Sequence, residues 1–274
     1  MSSVSTHVGC DLVLEVAAPA TIVLSIRPAT SAGVLDSERF DVTCNGAPRE
    51  PAPREVPSTH GAVLQVLNLP VGRIDLHYNA QITRSAPVAP LRSDELELLE
   101  YRRPSRFCPS DRLVGFATAE LGHLPRGRER LDGLVVWVAR RLAYVSNSSG
   151  PLDTAVETLL AGQGVCRDYA HLVVAMCRAL DMPARCASVY APGLWPMDFH
   201  AVAEVYVDDQ WSVVDATYLA PRQSLVRIAT GRDAADTAFL TTISGDVQLL
   251  DVVVRASADG ELPRDSLTES VLLH

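Results

Sequence analysis

The sequence predicts an α+β protein built around an antiparallel sheet and preceded by a small all-β unit, on three observations. Short apolar runs alternate with turn residues up to about residue 82, and three- and four-residue apolar spacing dominates from 110 to 180. Strand-like runs return after Pro183. Helices followed by strands favour an α+β layer arrangement over alternating parallel units. With 274 residues, two units are expected: a β-rich unit over 1–90 and a mixed helix-and-strand unit over 91–274.

In the first unit the runs are LVLEV (12–16), TIVLSI (21–26), RFDVTC (39–44), AVLQVL (62–67) and RIDLHYNAQI (73–82), parted by Pro, Gly and Asn clusters. APREPAPREVP (47–57) reads as a long loop and APVAPLRSDELE (86–97) as a linker. Helical periodicity follows in SDRLVGFATAEL (110–121) and RERLDGLVVWVARRLAYV (128–145). LDTAVETLLAG (152–162) is a third helix, with Gly162 placed to cap its C-terminus. After Gln163-Gly164 comes CRDYAHLVVAMCRAL, stopped by Asp181-Met182-Pro183. RCASVY (185–190), HAVAEVYV (200–207), WSVVDAT (211–217) and VQLLDVVV (247–254) then read as strands.

Composition excludes several function classes. A net charge of −9 is the wrong sign for a general phosphate-binding field, so nucleic acid is not an expected partner. All 24 basic residues are arginine, which leaves the chain no lysine amine to offer as a crosslinking acceptor to itself. The first residues lack a basic n-region, and Asp11 and Glu15 interrupt the apolar run, so no signal peptide is read there. No apolar run reaches membrane-spanning length, and neither a membrane partner nor a span is expected. The six cysteines have no CxxC spacing and read as free thiols of a cytoplasmic protein.

Cys166 stands apart from the other five. It falls in the first turn of its helix, where unpaired N–H groups and the positive end of the helix dipole favour a thiolate. Cys10, Cys44, Cys108, Cys177 and Cys186 read as packed core thiols. A thiol nucleophile needs a base that can also deliver a proton to the leaving amine. His171 lies five residues along the same helix and turns away from the first-turn side chain, so it reads as a packed histidine. His200 opens a strand directly after the loop APGLWPMDF. The turn DDQ then implies a hairpin that returns Asp215 alongside the start of that strand, where a carboxylate would hold the imidazole in the right tautomer.

The blocks GVCRDYAHL, FHAVAEVYV and WSVVDAT, in this order, resemble the signature of the transglutaminase-like superfamily. RIATGRDAADTAFL (227–240) and the β-rich N-terminal unit are similar to features of its bacterial cysteine-protease branch. The resemblance covers roughly residues 100 to 255. It implies a transglutaminase-like, papain-like core in which Cys166 is the nucleophile, His200 the general acid and base, and Asp215 its orienter. It also implies acyl transfer through a thioester on an amide or peptide bond, with water favoured as acceptor over an amine.

The expected partner is a peptide or protein substrate, and the chemistry calls for no cofactor and no metal. For the oxyanion, the Cys166 backbone N–H is the first expected donor and the Gln163 side chain a candidate second. Asp168 and Trp195 are expected to support the site, and Tyr144 and Trp195 to be packed near the cleft. Tyr169 and Glu204 read as structural. Trp195 lies in the loop 191–199, which would shape specificity from its place before His200. The competing reading is a non-catalytic member of the fold that binds a peptide or protein.

Overall fold

The structure is a computed structural model that describes residues 4–48, 52–84, 93–267 and 269–273. Six strands open the chain: β1 (Val4–Leu24), β2 (Val34–Cys44), β3 (Ala47–Pro48), β4 (Arg54–Pro57), β5 (Val63–Leu69) and β6 (Gly72–Arg84). The helices α1 (Glu95–Glu100), α2 (Val114–Leu121) and α3 (Arg128–Arg141) follow, then β7 (Ala143–Tyr144), α4 (Ala155–Ala161), β8 (Gln163–Gly164) and α5 (Cys166–Ala179). The chain continues through β9 (Ala184–Tyr190), β10 (His200–Val207), β11 (Gln210–Val214), β12 (Val226–Gly231), α6 (Ala234–Thr237) and β13 (Leu240–Ala258).

The first sheet has the order β3-β2-β6-β1-β5-β4, with β13 on the free side of β1. LVLEV and TIVLSI, read as separate strands, are two halves of the single 21-residue β1. The period-two pattern continues across it, burying Val8, Cys10, Leu12, Leu14 and Val16 on one face. VQLLDVVV was expected among the strands of the second unit. It lies in β13 and pairs instead with β1, from Thr6↔Ala258 to Leu24↔Leu240. Alternation marks a strand but not its partner, so the return to the first sheet has no local signal. The expected loop 47–57 carries β3 and β4 at its ends, each a short antiparallel addition to β2 or β5, while residues 49–51 lie outside the described residues. Of the expected linker, 86–92 also lie outside them, and 95–97 already belong to α1.

The second sheet is antiparallel with the order β11-β10-β9-β12. All seven residues of β9 are buried, which requires cover on both faces. One face meets the cluster around α5, a helix buried from Asp168 to Ala179. Tyr190, Val226 and Ile228 join the core of the first sheet, so the two sheets share packed side chains. α4 begins on Thr154, whose Oγ1 accepts from the Val156 N–H at 3.2 Å while Glu157 Oε2 accepts from the Thr154 N–H at 3.0 Å. It stops at Gly162, whose φ of 67° is the left-handed cap expected there. Gly164 is required by close approach, since a Cβ there would lie 2.6 Å from the Asp168 Cβ. This α4–β8–α5 sequence fixes where α5 begins, and therefore where Cys166 stands.

Candidate active site

Cys166 is the first residue of α5 and is half-buried. Asp168, two residues on, has no solvent-exposed surface and its Oδ2 accepts from the Val165 N–H at 2.8 Å, closing the helix start. Its Oδ1 accepts from Ser149 Oγ at 2.9 Å and from the Arg167 guanidinium at 3.1 Å. The carboxylate is thus spent on the helix N-terminus, where an anion also suits the dipole. Cys166 Sγ lies 4.0 Å from the Phe199 carbonyl oxygen, on the residue immediately before β10.

His200 opens β10 and is 2% exposed, and its Nε2 donates to Asp215 Oδ2 at 2.7 Å when the imidazole is neutral. The hairpin that joins them turns on Asp208 and Asp209, with φ of 53° and 60°, which suits the right-handed twist of the flanking strands. Its register pairs Ala203 with Val214. Asp215 therefore sits one residue past the last ladder pair and reaches His200 diagonally, close to the rough cross-strand placement that counting from the turn had given. Asp215 Oδ1 accepts from the Thr217 N–H at 2.9 Å and from Thr217 Oγ1 at 2.7 Å, which leaves Oδ2 for the ring.

With Nε2 committed to Asp215, Nδ1 is the ring nitrogen left to meet the sulfur, and it is buried and unpaired. Burial alone would lower the imidazole's proton affinity. The Asp215 charge and hydrogen bond outweigh it, the Cys166 sulfur adds to them, and the His200 pKa rises to about 10. Burial would raise the Asp215 carboxyl, but the His200 charge and the bonds from His200 and Thr217 hold it below its usual value. Asp215 thus holds the ring at 2.7 Å and stabilises it as imidazolium, with the Cys166 sulfur acting in the same direction.

Tyr144, expected to pack, is 44% exposed, with its ring 6.0 Å from that of Tyr169. The parallel ladder of β7 and β8 pairs Tyr144 with Gly164, two residues before the sulfur. Burial pushes its hydroxyl up to about 12, the Cys166, Asp198 and Asp215 charges push the same way, and the Cys166 backbone N–H acts against them. The helical run read over 128–145 ends at Arg141, and Tyr144 lies instead on the two-residue β7. Gln163 is exposed on β8, and among the described residues its side chain has no hydrogen-bond partner. Trp195 is 86% exposed and is not packed, because the loop carries it outward just after the buried Leu194.

His171 lies away from this pocket. Its ring stacks on Phe107 at 5.4 Å, its Nε2 accepts from the Ala234 N–H at 3.1 Å, and burial drives its pKa down to about 4. It clusters with Cys108 and Cys186, the candidate ligand atoms all lying within 4.8 Å of one another. Cys108 Sγ donates to the His171 carbonyl at 3.5 Å, and burial raises this thiol well above its ordinary range. Glu204 lies between Arg185 and Arg227: Oε2 accepts from Arg185 Nε at 2.9 Å and from Arg227 at 2.6 Å, and Oε1 from Arg227 at 2.8 Å. Burial would raise Glu204, but the two guanidinium groups bring it down to about 2.

Residues 113–216 match the model of the transglutaminase-like superfamily, a span that contains Cys166, His200 and Asp215. The chain carries a transglutaminase-like core. Over 97% of its length it superposes on 94% of the crystal structure of a "Putative Cysteine Protease" from Cytophaga hutchinsonii, with a TM-score of 0.86 and 28% identity. That agreement extends beyond the matched core and includes the strand-rich N-terminal region. An uncharacterized protein of Mycobacterium leprae is 24% identical over 168 residues, 57% of this chain. The match spans 59% of that curated relative's length. Among the described residues no helix is long and apolar enough to cross a membrane.

Proposed function

We propose that this protein is a cysteine peptidase or amidase, acting through Cys166 as nucleophile, His200 as general acid and base, and Asp215 as its orienter. The observation that carries this reading is the 2.7 Å His200–Asp215 bond beside a half-buried sulfur at a helix start. The Cys166 sulfur attacks the amide carbonyl carbon, its proton held on His200. The C–N bond breaks as that proton passes to the departing amine, leaving a thioester. Water then adds to the thioester carbon, gives a proton to His200, and releases the carboxylic acid as the sulfur takes its proton back.

The oxyanion that forms in each half is met by the Cys166 backbone N–H and the Tyr144 hydroxyl, which replaces Gln163 as the second donor. Tyr144 fits this role because its strand pairs it with Gly164, two residues before the sulfur, and its raised pKa keeps the proton on the oxygen. The substrate is a peptide or protein chain, and neither nucleic acid nor membrane takes part. The six cysteines, all unbridged, suit the reducing cytoplasm as the site of action.

The deciding experiment incubates the wild type and Cys166→Ala with a peptide-amide library, reading ammonia or peptide release together with incorporation of a labelled amine. Release that needs Cys166, without incorporation, is the expected result. Incorporation in excess of release would make the protein a crosslinking transglutaminase. Release that survives in Cys166→Ala would remove the nucleophile assignment, and no turnover of any member would favour a binding module.

A further inference from the structure

We propose that Asp198, at the rim of the Cys166 groove, selects substrates that carry a positive charge on the leaving-amine side of the scissile bond. This inference rests on the hydrolytic reading above. Asp198 precedes Phe199, whose carbonyl oxygen is 4.0 Å from the Cys166 sulfur, and stands two residues before His200. Its Oδ1 accepts from the Phe199 N–H at 2.7 Å, which folds the carboxylate back over its own loop. Among the described residues no arginine forms a salt bridge with it, whereas Asp168, Glu204 and Asp265 each have an arginine partner.

Asp198 is exposed, one residue before the carbonyl oxygen that lies 4.0 Å from the Cys166 sulfur, so its carboxylate is open to an incoming cation beside that sulfur. Partial burial by its loop raises the carboxyl, with the Phe199 N–H and the His200 charge pulling the other way. Because His200 hands its proton to the leaving amine, the histidine side is the leaving-group side. An ammonium or guanidinium there would meet an unpaired carboxylate. Trp195, three residues earlier and 86% exposed, offers the same cation an aromatic face.

The test uses peptides identical except for Lys, norleucine or Glu at the first position beyond the scissile bond. In the wild type kcat/KM favours Lys over norleucine by roughly five-fold, the scale of a partly exposed charge pair. Asp198→Asn keeps the acceptor for the Phe199 N–H and brings that ratio to about one, and Asp198→Lys turns the preference toward Glu. A wild-type ratio of one, or a Lys preference retained by Asp198→Asn, overturns the proposal. Binding of the same peptides to Cys166→Ala, read by fluorescence polarisation, separates the two readings. Equal affinities for Lys and norleucine peptides reject the role of Asp198, whereas a Lys preference in binding without turnover by the wild type rejects only the hydrolytic reading.

Discussion

Strand β10 carries two buried charged groups four residues apart, and their different surroundings separate scaffold from chemistry. Glu204, 1% exposed, has both carboxylate oxygens engaged by Arg185 and Arg227, and its neighbours offer no route to a substrate. His200, equally buried, has one nitrogen held by Asp215 and the other unpaired beside a half-buried thiol. Both networks keep buried nitrogens without a partner, Arg185 Nη2 and Arg227 Nε in one and His200 Nδ1 in the other, so what separates them is position: both oxygens of Glu204 are closed off by guanidinium groups, whereas the free nitrogen of His200 lies next to a half-buried thiol. Removing one member of the first leaves an uncompensated charge. On the reading proposed above, the same strand supplies rigidity at Glu204 and reactivity at its first residue.

This contrast breaks most plainly through substitution at its two ends. Cys166→Ala is expected to lower turnover of any accepted peptide amide by at least about a thousand-fold, with thermal unfolding changed by less than about 1 kcal/mol. Steady-state kinetics beside calorimetry reads both. Glu204→Ala is expected to do the reverse, costing about 3–5 kcal/mol of stability because Arg185 and Arg227 lose their shared counter-ion. Urea unfolding measures it, and a loss under about 1 kcal/mol would mean that the network contributes little.

A smaller effect sharpens the comparison inside the site. Thr217 touches no reacting atom, but it donates twice to Asp215 Oδ1 and so aims Oδ2 at the ring. Thr217→Val removes the hydroxyl bond at nearly constant volume and is expected to lower kcat about ten-fold with KM nearly unchanged. Thr217→Ser is expected to restore most of it. Equal losses in Val and Ser variants would point to packing rather than positioning.

The two groups also divide the dependence of stability on pH. The His200 pKa is raised from 6.5 to about 10, so its contribution is complete below about pH 6.5 and fades as pH rises through 10. The Glu204 pKa is lowered from 4.5 to about 2, so its contribution is complete above about pH 4.5 and fades as pH falls toward 2. Stability is expected to plateau between these limits and decline on both sides. His200→Gln should flatten the alkaline decline and Glu204→Gln the acid one, read as unfolding free energy across pH.

Much of this was legible in the residues because it depends on local chemistry. The helix start at Cys166 follows from Gly162 and Gly164, and the pairing of His200 with Asp215 follows from a two-residue turn between alternating runs. What was hidden depends on distant partners. β13 alternates as any strand would, and only the folded chain shows that it completes the sheet of β1. Tyr144 was placed near the cleft but at the end of a helical run, and its two-residue strand has a partner 20 residues away in sequence, so nothing local marks that pairing. Trp195 was expected to pack near the cleft, whereas the loop that holds it presents it to solvent.

The central claim is that one thiol among six is set apart by its coupling to His200. Brief exposure of the native protein to iodoacetamide near neutral pH, followed by mass-spectrometric mapping of all six cysteines, tests it most directly. Cys166 should be alkylated first and by a wide margin, with the half-buried Cys44 well behind, and His200→Ala should erase that lead. Alkylation of Cys166 no faster than Cys44, or a lead that persists without the imidazole, would contradict it.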